Sequence, residues 1–386
     1  MQLRDFPKPS SERPIGIFVH HQGRGHAERI AALANAVPGQ RPVVLFSARE
    51  DIFPPLAKHV SVVCIPSLFE GHGEGSSFLA DQPTPSTLHC APLGWPTITE
   101  AIATLTGWFA AARPALFVTD VSAELGQLAR IASVPHVAVL QHGDRDDPGH
   151  MASYDSAVGL LAPFDVRLEQ PERPAYLREK THYCGGIGVD ARVRDRDAAR
   201  QKLGIPSTRE LVLVLAGGGG QGTPTAPLTL GARAEPDAHW IVLGKTFSEW
   251  HETPPANLEL RGWVDNADDW IAAADRIVSS CGNTTVHQVL ATGKPWIAIP
   301  EWRYFAEQHR KAEALAAAGL CASSPIWPSH AGQWARLWTE AARVDPSSGP
   351  GFVDSDAAIG AACWLEDLAR RCCGESADQT TGTIAA

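Results

Sequence analysis

No run of roughly 18 apolar residues occurs in this chain of 386 residues, so nothing in it reads as a helix able to cross a bilayer. Its first residues, MQLRDFPKPSSERP, are polar and proline-rich and lack the apolar centre of a secretory signal. Paired cysteines of zinc-ligand spacing are missing too. The eight cysteines are scattered apart from Cys372-Cys373, which excludes a disulfide framework and fits a reducing, cytoplasmic setting. No carboxylate or His/Cys cluster stands at the spacing of a dedicated metal site, and no metal or other cofactor is expected. A surplus of positive charge is also absent. The formal charge of -10 excludes general affinity for nucleic acid, which needs clustered Lys and Arg to displace phosphate counterions. The expected protein is soluble, with peripheral membrane contact left open.

What remains is ordinary globular composition, 44% hydrophobic and 20% charged, in a chain long enough for two domains. Short runs rich in Val, Ile and Leu alternate with segments of helical period, the pattern of parallel sheets covered by helices. Strands are expected at Ile15–Val19, Val43–Phe46, Val60–Ile65, Ala115–Thr119 and Val137–Leu140, and again at Leu211–Leu215, Trp240–Leu243, Leu258–Leu260, Arg276–Ser279 and Trp296–Ile299. A glycine-rich and then charged stretch separates the two series. The expected organisation is a flexible 1–13, a first α/β domain at 14–186, a linker at 187–208, a second α/β domain at 209–345, a helical region at 346–375 and a disordered tail at 376–386. Ser67–Pro96 breaks the alternation, and a loop of that length in a compact domain is usually functional or disordered.

Three stretches carry chemistry. In VHHQGRGHAER, residues 19–29, Gly23 and Gly25 ease a strand-to-helix turn that puts His26 where the helix begins. In LVLVLAGGGGQGT a buried strand runs into Gly217, Gly218, Gly219 and Gly220, then Gln221 and Gly222, a turn whose N–H groups can approach an anion closely. Its spacing is not that of a dinucleotide fingerprint. In SSCGNTTVHQVLATG a strand ends at Ser279-Ser280, Gly282 turns, and Asn283, Thr284 and Thr285 open a helix. Small hydroxyl residues there are either caps or diphosphate donors, since a helix N-terminus offers free N–H groups and partial positive charge. Asp120, at the end of ALFVT, is either a helix cap or an orienting carboxylate, and His89 and His142 are candidate acceptor-site groups.

The last stretch, with LRGWVDNADDWIAAAD before it and EWRYFAEQHRKAEALAAAGL after it, resembles the donor half of GT-B glycosyltransferases, most closely the MurG-like group. GRGH resembles that group's N-terminal turn. The likeness spans much of Pro14 to Leu320. It implies two Rossmann-like doubly wound domains facing a cleft, and an inverting transfer of sugar from a nucleoside diphosphate, with UDP leading, to an unidentified acceptor. It further implies that Val264 borders the base, that Gly25, Ser280, Gly282, Asn283, Thr284 and Thr285 meet the diphosphate, and that Gln288 stands where relatives bind ribose with glutamate. Glu307 and Gln308 would face the sugar, His26 would be the base, and Asp120 would hold it. The pattern GxGHxxR, met by Gly23, Gly25, His26 and Arg29, is shared with nucleotide-sugar hydrolases of PseG type. A non-catalytic nucleotide-sugar-binding protein is the third alternative.

Overall fold

The computed structural model describes residues 12–39, 41–71, 76–190, 192, 194–217, 220, 222–248 and 253–374. The first half contains strands β1 (Ile15–Phe18), β2 (Val43–Ser47), β3 (Val60–Cys64), β4 (Leu116–Asp120), β5 (His136–Val139), β6 (Gly159–Ala162) and β7 (Thr181–Tyr183). Between them run helices α1 (Arg24–Asn35), α2 (Ser77–Ala80), α3 (Pro96–Ala112), α4 (Ala123–Ile131), α5 (Pro148–Ser156) and α6 (Ala175–Glu179). Every pairing in this sheet is parallel, in the order β3-β2-β1-β4-β5-β6-β7.

The second half holds α7 (Arg196–Leu203), β8 (Leu211–Leu215), β9 (Thr223–Pro224), α8 (Thr225–Ala234), β10 (His239–Leu243), β11 (Thr246–Phe247), β12 (Leu258–Gly262), α9 (Ala267–Ala273), β13 (Arg276–Ser279), α10 (Asn283–Leu290), β14 (Trp296–Ala298), α11 (Glu307–Ala317), β15 (Ala322–Ser323) and α12 (Ala331–Ala341). Its main sheet is parallel in the order β12-β10-β8-β13-β14-β15, and β9 pairs with β11 beside it. The last helix, α13 (Ala357–Cys372), returns to the first half.

The sequence accounts for these elements directly. β1 (IGIF) and β8 (LVLVL) are buried throughout, which a strand covered by helices on both faces requires. Ala27, Ile30, Ala31 and Ala34 recur at helical spacing and form the buried stripe of α1. Each of the ten segments expected to be strands overlaps one. β6 and β7 lie outside those segments, because three or four residues without alternation carry no periodic signal.

Two features bind the halves into one molecule. Ala361, Leu365 and Leu368 of α13 enter the same core as Ile15, Ile30 and Val43, and the buried Arg41 meets Glu366 of α13 with Nη2–Oε1 at 2.9 Å. The stretch expected to be a linker is largely folded onto the second half. Within it, Arg200 donates to the Ala273 carbonyl at 2.8 Å and Arg194 to Asp269 at 3.0 Å, seating α7 against α9.

Each sheet reverses its strand order at one place, between β1 and β4 in the first and between β8 and β13 in the second. The chain leaves neighbouring strands in opposite directions there, which opens a crevice at their carboxyl ends. The glycine turns after β1, β8 and β13 all lie at these reversals.

Candidate active site

At the first reversal, α1 begins directly after β1, and Asp120 closes β4 beside it. Asp120 is fully buried, and His26 donates from Nδ1 to its Oδ2 at 2.7 Å. Arg29, one turn along α1, donates from Nη2 to Oδ1 at 2.5 Å. Burial alone would raise the Asp120 pKa, but the Arg29 guanidinium and the hydrogen bond from His26 hold it well below the ordinary carboxylate range. With the proton of His26 committed to Asp120 through Nδ1, the Nε2 lone pair is the basic atom. Val121, the next residue, is left-handed at φ 68°, costly for a β-branched side chain. Backbone strain of this kind concentrates where a site's geometry is over-determined.

His20 stacks on Phe69 at 4.6 Å and lies 5.4 Å from the His26 ring. Burial pushes its pKa down to about 4, so it stays neutral near pH 7. The chain after β3 therefore forms part of this wall. Glu70 accepts from Gln22 at 2.7 Å, and its carboxylate lies 3.3 Å from His21.

Across the crevice stands the start of α10. Its N-cap residue is Gly282, which offers no side-chain cap, and α1 likewise starts at an uncapped Gly23. The two N-termini nearly touch: a Cβ on Gly25 would lie 3.0 Å from Thr284 Oγ1. Two sets of unsatisfied N–H groups, each with partial positive charge, thus face one another. Among the described residues the buried Ser280 hydroxyl has no hydrogen-bond partner, and a Cβ on Gly217 would lie 3.2 Å from it. Such an arrangement suits an anion rich in acceptors.

The remaining residues expected at the site fall around this centre. Thr284 and Thr285 sit in the first turn of α10, each half-buried. Asn283 accepts through Oδ1 from Lys311 Nζ at 3.0 Å. Gly222 stands at φ 107° beside the Lys245 carbonyl, a place only glycine takes without strain. Gly218, Gly219 and Gln221 lie outside the described residues. Val264 follows β12 and is half-buried, beside a largely exposed Trp263. Gln288 donates from Nε2 to Asp268 at 2.9 Å, and Asp268 pairs with Arg194 at the same distance.

Glu307 faces Arg145 of the first half at 3.4 Å. Gln308 is buried, and its Oε1 accepts from the backbone of Cys281 and Glu301, both at 2.9 Å. It braces the turn, leaving only its NH2 for anything else. Phe305 and Ala306, just before, are left-handed at φ 59° and 50° and are held by Asp144, whose N–H donates to the Phe305 carbonyl at 2.7 Å. Gly143 makes the approach possible, since a Cβ there would lie 2.6 Å from that carbonyl.

Of the two further histidines singled out in the sequence, His142 is buried, donates through Nε2 to the Leu168 carbonyl at 2.7 Å and packs on Phe164. His89 is different. It donates to Asp147 at 2.6 Å, and Asp147 also meets His150 at 2.6 Å. The fold thus gathers the kind of cluster that spacing alone gave no reason to expect. The polarity of its hydrogen bonds is not that of metal ligands. Arg145 donates to His150 Nε2 at 2.9 Å, which forces the proton of His150 onto Nδ1, the atom facing Asp147. A ligating imidazole needs that nitrogen bare and an acceptor, not a guanidinium, behind it. The trio instead ties Ser67–Pro96 to α5 and sets it against Phe305, whose ring lies 5.3 Å from His89 and 4.7 Å from His150.

No known family pattern matches this chain. A Methanopyrus kandleri protein described as an uncharacterized glycosyltransferase is 29% identical over 130 residues, which is 34% of this chain and 37% of that protein. Solved structures match over nearly the whole length. Acinetobacter baumannii MurG superposes with a TM-score of 0.60 at 13% identity, covering 92% of this chain and 99% of that one. The fold is GT-B. Phytolacca americana UGT2, solved with UDP-2fluoro-glucose and pterostilbene, matches at a TM-score of 0.58 and 14% identity over 93% and 95% of the two chains. In this GT-B chain the two strand-order reversals face each other, and His26, Asp120 and the start of α10 lie where they meet. Sequence reasoning gave Arg29 no site role, because a buried arginine in the third turn position of a motif has no signature beyond GxGHxxR. It also missed Lys311, which reads as one more polar helix residue. No helix among the described residues is long and apolar enough to cross a membrane.

Proposed function

We propose that the chain is an inverting, metal-independent glycosyltransferase that moves a sugar from a nucleoside diphosphate, UDP first among the candidates, to an acceptor hydroxyl. The observation that carries this is the His26–Asp120 pair held against two uncapped helix N-termini. His26 Nε2 takes the acceptor proton as the acceptor oxygen bonds to the anomeric carbon and the bond from that carbon to the diphosphate breaks. The departing negative charge is met by the first N–H groups of α10, by the hydroxyls of Ser280, Thr284 and Thr285, and by the turn from Gly217 to Gly222. Glu307, oriented by Arg145, is placed to accept from sugar hydroxyls. The base would lie against Val264, with the exposed ring of Trp263 beside it. The UDP-sugar analogue in the Phytolacca americana structure supports the choice of nucleotide. The same reading places the protein in the cytoplasm.

Water in place of an acceptor would make the same site a hydrolase. What favours transfer is that Glu70 and His89, both from the Ser67–Pro96 stretch, are held beside the crevice by Gln22 and Asp147. The test is diphosphate release from a panel of nucleotide sugars, with and without cell extract, by the unsubstituted protein and by His26→Ala. Release should depend on extract and fall roughly 100- to 10,000-fold in the variant, with donor affinity little changed. Normal turnover in His26→Ala removes His26 from the mechanism, and equal release without extract replaces transfer by hydrolysis.

A further inference from the structure

The donor reading leaves one buried charge unexplained. Lys311, on α11, is 3% exposed, and its one hydrogen bond among the described residues goes to an amide: Nζ donates to Asn283 Oδ1 at 3.0 Å. An ammonium has three donors and normally meets a carboxylate when buried. The nearby acids are otherwise engaged, since Asp120 is shared by His26 and Arg29, and Glu307 faces Arg145. Burial pushes the Lys311 pKa down, with Glu307 opposing the shift and Arg29 and Arg145 adding to it.

The contact also sets an orientation. Lysine cannot accept, so Asn283 must turn its carbonyl to Lys311 and its NH2 away from it, and Asn283 is the first residue of α10. The unpartnered hydroxyl of Ser280 stands in the same turn.

We propose that Lys311 is a positioning residue for diphosphate binding: its ammonium puts positive charge behind the start of α10 and locks Asn283 with its NH2 presented to the phosphate groups. This rests on the donor reading above and adds a residue to it. The charge does work there that a bound divalent cation would otherwise do.

The test is calorimetric titration of the unsubstituted protein, Lys311→Met and Asn283→Ala with UDP, dTDP, GDP and ADP, and then with the monophosphate of whichever binds best. Lys311→Met should weaken the diphosphate roughly 10- to 100-fold and the monophosphate by less than about threefold, because the second phosphate brings the added negative charge that the ammonium answers. Asn283→Ala should show the same selective loss to a smaller degree, and it decides the matter if Lys311→Met does not fold. Equal weakening of both nucleotides, which general damage produces, overturns the proposal, as does unchanged diphosphate affinity. If the unsubstituted protein binds none of the four diphosphates, the donor reading itself falls and this inference with it.

Discussion

Asp120→Asn separates two roles that one carboxylate fills. The side chain is fully buried and neutralises Arg29 through one oxygen while accepting from His26 through the other. Losing the charge leaves the Arg29 guanidinium buried without a counter-charge, and removing one partner of a buried pair costs about 3–5 kcal/mol. The amide retains a single acceptor atom, so the lower end, about 3 kcal/mol, is expected here. Catalysis suffers for another reason. If the amide turns its NH2 to His26, Nδ1 must become the acceptor and the proton moves to Nε2, which removes the base. Turnover should fall roughly 10- to 1,000-fold, less than in His26→Ala because the ring stays in place. Urea unfolding and steady-state turnover are measured on Asp120→Asn, Arg29→Met and the double variant. The double variant has no stranded charge, so its stability should largely return while its turnover stays low. Recovery of turnover along with stability would refute the assignment and leave Asp120 a purely structural anion.

Acid should destabilise the fold well before carboxylates titrate. Burial pushes His287 to about 4 and His136 to about 3 and holds His142 well below its ordinary value, so the unfolded chain takes up protons below about pH 6.5 that the folded chain refuses. The stability these groups contribute is complete above about pH 6.5 and is lost as pH falls toward 4, at up to about 1.4 kcal/mol per pH unit for each ring. Urea midpoints at pH 7, 6 and 5 should fall steadily, and a flat series would contradict the burial of these rings as neutral groups. The depressed Asp120 adds loss of the same sign at lower pH, since its stabilising charge is present above the unfolded pKa and disappears as it is protonated. EDTA should leave turnover and melting temperature unchanged, given the proton on His150 Nδ1. Metal-dependent restoration of activity, abolished by His89→Ala, would show that the His89–Asp147–His150 trio ligates after all.

The residues of this chain by themselves determine its local architecture. Runs such as IGIF and LVLVL cannot face water on either side, so they become central strands, and α1 ends at Asn35, just before Pro38, which cannot continue a helix. Glycines at 23 and 25 and the small residues from Ser280 to Thr285 likewise mark where strands hand over to helices, and with them most of the candidate site. Sequence could not say what would stand beside those turns. Asp120 is 94 residues from His26 and reaches it because β1 and β4 are neighbours at the reversal of strand order. His89 is 58 residues from Asp147, and Lys311 is 28 from Asn283, separations at which no periodicity operates. The return of α13 to the first half was equally invisible, because its apolar face of Ala361, Leu365 and Leu368 would suit either core. Local propensity decides which segments are strands and helices, but charge partners are chosen by the order in which strands pair, and only the folded sheet fixes that order.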